Sequence, residues 1–222
     1  MTDAAALAAR LPSLHRARVL VIGDVMLDRY VEGTVERMSP EAPIPVVRVE
    51  AERSMPGGAG NVARNIAALG AEAMLVGLVG DDGAGLALRQ CLSAAKGVEV
   101  LLAVEAGRAT TVKTRYLAGR QQLLRADTES TAPASAAAAE ELLRLFASAL
   151  ARADVVVFSD YAKGTLSDAV LRPAIERAKA AGKPMVVDPK SRNAARYGGA
   201  DVLTPNRHEL AAATALEGDG DG

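Results

Sequence analysis

Five short runs of near-continuous apolar residues recur along the chain: "RVLVIGD" (18–24), "AMLVGLVGD" (73–81), "ADVVVFSD" (153–160), "KPMVVD" (183–188) and "ADVLTP" (200–205). Runs like these suit strands buried on both faces, as in a parallel sheet covered by helices. Helical patterns lie between them, at about 60–69, 83–95, 134–151 and 167–181. The first is expected to pack through Val62, Ile66 and Leu69, spaced i, i+4, i+7. The alternation predicts an α/β fold with a doubly wound, mainly parallel sheet, in a single domain over 1–222. Two further runs, "IPVVRVE" (44–50) and "TTVKTRYLAG" (110–119), are strand-like but more polar and have no helix of their own. They predict a small antiparallel β flap, with strands within about 29–50 and 108–127. The linker "STAPASAAAA" (130–139) leads from the flap region to a long helix, and the Gly/Asp-rich tail at 217–222 reads as frayed.

Charge and cysteine content narrow the function classes. The 222 residues carry 26 basic and 27 acidic side chains, a formal net charge of −1. That balance argues against nucleic acid or an anionic membrane as the main partner, and leaves a small anionic ligand open. A single cysteine, Cys91, permits no intrachain disulfide and fits a reducing cytoplasm. No apolar run approaches the roughly 18 residues that a membrane span needs.

Four predicted strands end in aspartate, at Asp24, Asp81, Asp160 and Asp188. Taken singly, each is a good turn residue or helix cap. Together, at the edge where open α/β sheets bind ligands, they point to a site for hydroxyls, metal ions or both.

The glycine-rich stretch "SMPGGAGNVARNIAALG" (54–70) contains a G-x-G-x-x-A match that fits a dinucleotide-binding turn, with Asp81 near the position of a ribose-binding acid. Against that reading, "AERSMPG" separates Val49 from Gly57, and "RVLVIGD" is followed by no glycine-rich turn. The alternative is that Gly57 and Gly58 bring the backbone close to a ligand. Asn61 and Asn65, one turn apart, then present amides that both donate and accept, which suits a polyol.

The stretch "GGAGNVARNIAALG", with "DDGAG" after it, resembles the N-terminal signature of the ribokinase-like (phosphofructokinase-B type) carbohydrate kinases. More narrowly, "GDVMLDRYVEG", "RMSPEAPIPVV", "QQLLRAD", "SDYAKG", "DPK" and "LTPNRHEL" resemble the bacterial D-glycero-β-D-manno-heptose 7-phosphate kinases. The resemblance runs from about residue 18 to 216. It implies ATP- and Mg²⁺-dependent phosphorylation of the anomeric hydroxyl, giving the 1,7-bisphosphate for the lipopolysaccharide core.

Carried over by position, Asp28 falls where the family has a sugar-hydroxyl acceptor, and Gly57, Gly58 and Asn61 where it has the sugar-binding turn. Asp160 matches a strand-end acid facing the sugar, and Lys163 a phosphate ligand. Lys190, Asn206 and Glu209 match the nucleotide side, with Glu209 reaching Mg²⁺ through water. Asn206-x-x-Glu209 also has the spacing of a capping box, and the two roles are compatible. Lys113 and Arg115 share one strand face, to grip the sugar's 7-phosphate or to be solvated.

In the family, the catalytic base and the amides for the transferring phosphate lie on a late Gly-Ala-Gly-Asp turn, which the 222 residues do not contain. The resemblance therefore implies a base beyond Gly222, the last residue of the sequence. Asp219 and Asp221 have neither a strand before them nor a helix after them, so no catalytic residue is assigned. The expectation is a fragment with half a sugar site and little or no turnover alone. The other readings are a chain completed by a partner and a non-catalytic sugar-phosphate-binding module. A homodimer through the flap and an uncovered, self-associating sheet edge are also expected.

Overall fold

The computed structural model describes residues 8–9, 11–191 and 193–214. The tail at 217–222, with Asp219, Asp221 and Gly222, lies outside them, so the expected frayed ending and the placement of the base beyond Gly222 both fall outside the described residues. The main sheet takes β1 (Arg18–Gly23), β4 (Glu72–Gly80), β5 (Val98–Glu105), β8 (Val155–Ser159), β9 (Met185–Asp188) and β10 (Val202–Leu203). Their order is β10-β9-β8-β1-β4-β5, every pair parallel. Five of these are the apolar runs read from the sequence. β5 is the addition: it is an edge strand, only partly buried, and Glu99 and Glu105 interrupt its apolar run.

Helices cover both faces, as the doubly wound reading requires. On one face, α3 (Ala136–Leu150) and α4 (Asp168–Ala180) bury Leu142, Phe146, Val170 and Leu171 against Leu20, Ile22, Val76 and Phe158. On the other, α1 (Ala59–Ala68) and α2 (Gly83–Ser93) pack on Val19, Val21, Leu75 and Val79. A last helix, α5 (Arg207–Thr214), follows β10. The packing face of α1 differs from the expected stripe. Ala59, Gly60 and Ala63 are its buried residues, Val62 and Ile66 are partly buried, and Leu69 is exposed. Small residues at the contact bring this helix close to the sheet.

The flap is larger than expected and mixed rather than antiparallel. It consists of β2 (Val25–Met38), β3 (Pro45–Gly58), β6 (Val112–Ala118) and β7 (Gln121–Thr128), in the order β3-β2-β6-β7. β2 pairs antiparallel with β3 and parallel with β6. "AERSMPG" is therefore strand rather than a spacer, and β3 runs directly into the glycine turn at α1. At the opposite edge of the main sheet, Val202 and Leu203 of β10 are exposed.

Asp24 joins these parts. It follows β1, donates its N–H to the Ser159 carbonyl (3.1 Å), and accepts from the Ala59 N–H through its own carbonyl (2.9 Å). Its carboxylate is buried and accepts three backbone N–H groups, from Tyr161 (2.8 Å), Lys163 (3.0 Å) and Thr165 (3.0 Å). The bonds fold the segment after β8 back over the end of β1, with Ala162 held at φ 56°. Asp24 therefore serves the protein's own backbone rather than a ligand.

Replacing Asp24 with Ala would leave three amides of this segment without their acceptor. We expect a loss of about 3–5 kcal/mol in urea denaturation. Asp81→Ala, at an exposed position, is expected to change stability by less than about 0.5 kcal/mol. Equal effects at the two positions would refute the assignment.

Candidate active-site cleft

The C-terminal ends of β1, β8 and β9 and the root of the flap meet along one edge of the sheet, where open α/β sheets bind ligands. The glycine turn sits there. Gly58 adopts φ 56°, and a Cβ on Gly57 would collide with the Asp28 carboxylate of β2. Glycine at 57 thus lets Asp28 lie against the backbone. Asn61, in the first turn of α1, is exposed, as is Asn65.

Arg115 of β6 donates from Nη1 to Asp28 Oδ1 (2.5 Å). Its guanidinium lies 5.2 Å from the Tyr30 ring, with Arg53 over the same ring at 4.2 Å. Lys113 is opposite Asp28 in the strand register and pairs with Asp127 (3.3 Å). One face of the flap therefore gathers Asp28, Tyr30, Arg53, Lys113 and Arg115. Arg53 was not anticipated; its register opposite Tyr30 depends on β3 continuing through residues that read as loop.

The strand-end acids divide by environment. Asp160 is buried, and its oxygens are taken: Oδ1 accepts from the Ala162 N–H (2.8 Å) and Oδ2 from the Tyr197 hydroxyl (2.6 Å). Burial pushes its carboxyl above the ordinary range, against the pull of those two donors. The bonds it makes are to the protein's own Ala162 and Tyr197. Lys163 pairs with Glu129 (2.7 Å). After β4, the structural acid is Asp82 rather than Asp81: it caps α2 through Gly85 N–H (2.7 Å) and accepts from Thr110 N–H (2.9 Å). Those amides hold its carboxyl below the ordinary range although burial works the other way.

Asp188 keeps its side chain free of hydrogen bonds among the described residues, and it is half-buried. Burial, then the neighbouring Glu209, push its carboxyl up, while Lys190 opposes them. Lys190 Nζ meets Glu209 Oε1 (3.1 Å), and Glu209 and Asn206 exchange the two bonds of a capping box (3.0 and 2.9 Å) at the start of α5. The Asn206 amide, foremost, holds Glu209 low. The expected nucleotide-side trio thus comes together as one unit beside Asp188. Among the described residues, no group of three or more His, Cys, Asp or Glu could hold a metal ion directly.

The dinucleotide reading loses one objection, since β3 does run into the glycines, and meets a stronger one. A pyrophosphate at Gly57-Gly58 would face the Asp28 carboxylate lying against that turn.

The likenesses to known proteins agree with this geometry. The family model of pfkB family carbohydrate kinases matches residues 16–221. A Caulobacter vibrioides protein named bifunctional protein HldE is 57% identical over 209 residues, covering 94% of this chain and 43% of that protein. The protein of the same name from Paramagnetospirillum magneticum is 49% identical over 221 residues, covering 100% and 45%. The chain thus spans less than half the length of these curated relatives. Among solved structures, a carbohydrate kinase from Agrobacterium tumefaciens superposes with a TM-score of 0.69 at 22% identity, over 90% of this chain and 64% of that one. Phosphofructokinase-2 from Escherichia coli, in complex with substrates and products, gives 0.69 at 21%, over 90% and 63%. With a family model matched over most of its length, the chain belongs to the pfkB family of carbohydrate kinases.

Proposed function

We propose that this chain forms the sugar-phosphate side of an ATP-dependent kinase acting on the anomeric hydroxyl of D-glycero-β-D-manno-heptose 7-phosphate. The observation that carries the reading is the corner where Asp28 lies against Gly57 and touches Arg115. A carboxylate for sugar hydroxyls and a guanidinium for a phosphate stand side by side there, with Lys113 and Arg53 on the same face. Guanidinium binds phosphate through paired, charge-assisted hydrogen bonds. Asn61, Gly57 and Gly58 would line the sugar on its other side. The heptose itself comes from the resemblance of the sequence motifs. Product for the lipopolysaccharide core, a cytoplasmic setting and contact between two copies through the flap belong to the same reading.

On the nucleotide side, Lys190 and Asn206 would meet the phosphates of ATP. Mg²⁺ usually keeps several of its waters, so it needs only carboxylates in its outer shell. Glu209 suits that role, and Asp188, without a hydrogen-bond partner among the described residues and pushed up by burial and by Glu209, suits a nearby cation as well. Phosphoryl transfer also needs a base for the hydroxyl proton. Asp28 is paired with Arg115, and Asp160 with Tyr197 and Ala162, and neither is assigned that role. We assign the base to none of the described residues.

Arg115→Gln is expected to weaken binding of the heptose 7-phosphate by about tenfold or more in calorimetric titration. Binding of the phosphate-free heptose should change little. A loss that is the same for both sugars would remove the phosphate from this corner.

Asp188 gives a pH signature. Its carboxyl titrates higher in the folded chain than in the unfolded one, so its contribution to stability falls as pH rises through that window. Asp188→Asn is therefore expected to raise the melting temperature at pH 7 and to change it little below about pH 4. Mg²⁺ with ATP should stabilise the wild type more than this variant. An equal ligand-induced shift in both would dismiss Asp188 as a cation neighbour.

A further inference from the structure

Tyr197 ends a short 3-10 turn, Ala194–Tyr197, and its ring is buried in the core that contains Phe158 and Val187. A phenylalanine would fill that space equally well. The hydroxyl therefore needs its own explanation, because burying it without partners is unfavourable. It has three partners. It donates to Asp160 Oδ2 (2.6 Å) and accepts from the N–H groups of Lys190 (3.3 Å) and Ser191 (3.0 Å). These use the full capacity of a phenol oxygen. Burial, together with donation to Asp160, pushes the phenol up to about 12, so it remains a neutral donor throughout the working range.

The partners lie on two different loops. Asp160 closes β8 and also holds the Ala162 N–H, within the segment that Asp24 secures at the end of β1. Lys190 and Ser191 belong to the segment after β9, and Lys190 carries the ion pair to Glu209. Arg196 braces the same point. Its guanidinium lies 5.8 Å from the Tyr197 ring and 3.5 Å from Asp160, and it is anchored to Asp168 (2.9 Å) and the Leu166 carbonyl (2.9 Å).

We infer that Tyr197 is a positioning residue, whose buried hydroxyl fixes the backbone under Lys190 to the strand end that borders the sugar corner. The inference rests on the reading of Lys190, Asn206 and Glu209 as the nucleotide side. It adds that, beyond the β8–β9 pairing and the Asp160 N–H to Asp188 carbonyl bond (3.0 Å), a hydroxyl that touches neither ligand ties the Lys190–Ser191 backbone to Asp160. Without that bond, the Lys190 and Ser191 N–H groups lose their acceptor, and the backbone that carries Lys190 is held only by the β8–β9 pairing before it. Nucleotide affinity should then fall while sugar affinity is kept.

The test uses Tyr197→Phe in the 222-residue chain, with folding checked by circular dichroism. Amide exchange at Lys190 and Ser191 should become about tenfold faster or more, with the sheet interior unchanged. Affinity for magnesium ATP should fall by about tenfold, while affinity for the heptose 7-phosphate stays within about twofold. Unchanged exchange at the two amides would overturn the inference, as would faster exchange with unaltered nucleotide affinity. A wild-type chain that does not bind magnesium ATP would sink the nucleotide reading instead, and exchange at the two amides would then decide the link alone. If Tyr197→Phe does not fold, Asp160→Asn weakens the same link from its other end. Faster exchange at Lys190 and Ser191 is expected there too, and unchanged exchange overturns the link.

Discussion

The Asp24 carboxylate is the contact from which the cleft is built. A buried carboxylate with no cation beside it is unfavourable unless donors replace its water. Three alternate amides, of Tyr161, Lys163 and Thr165, do so here. The same residue meets the Ala59 N–H and the Ser159 carbonyl through its backbone. β1, the start of α1 and the segment after β8 are thus fixed relative to each other at one point. Everything assigned to sugar binding projects from these three places or from the flap strands that leave β1. The left-handed Ala162 is a consequence of the clamp. An L-residue there carries about 1–2 kcal/mol of strain, tolerated because the flanking amides are held.

The two halves of the cleft use charge differently. On the flap, opposite charges are already paired: Arg115 with Asp28, Lys113 with Asp127, Arg53 with Glu32. An arriving phosphate competes for bases that already have partners, and a sugar hydroxyl competes for an acid that does. A guanidinium has five donors, so Arg115 can take a phosphate without wholly abandoning Asp28. Lys113 has three donors on a flexible stem, without the paired geometry of a guanidinium. On the proposed nucleotide side Asp188 has no donor among the described residues, and burial and then Glu209 push its carboxyl up while Lys190 opposes them.

Much of the main sheet was legible because strands buried on both faces have no polar alternation to confuse them. β1, β4, β8 and β9 are of that kind. β5 and the flap were not, for the opposite reason: they are half-exposed and rich in charge, and β3 continues through Arg53, Ser54 and Pro56 into the glycines. The site was legible only in part. Asp28, Gly57 and Arg115 meet across 87 residues of chain between the acid and the base. Local spacing holds no trace of such a meeting; motif resemblance named the residues separately, and the Asp28–Arg115 bond comes from the structure. The capping box at Asn206 and Glu209 was readable because its two bonds span only three residues.

The strand-end aspartates show why residue type and position alone could not assign roles. Asp24, Asp160 and Asp188 all sit at the same edge, yet of the three only Asp188 lacks a donor among the described residues. What separates them is the path of the segment after β8. It turns back over β1, presenting three N–H groups to Asp24 and one to Asp160, while Tyr197 arrives from 37 residues away to complete Asp160. In the segment after β9, Pro189 has no N–H, and the Lys190 and Ser191 N–H groups go to the Tyr197 hydroxyl instead of to Asp188. An acid at a strand end becomes structural when the chain beyond it can bring amides back. It keeps its oxygens unpaired when those amides are bonded elsewhere, as at Asp188 among the described residues.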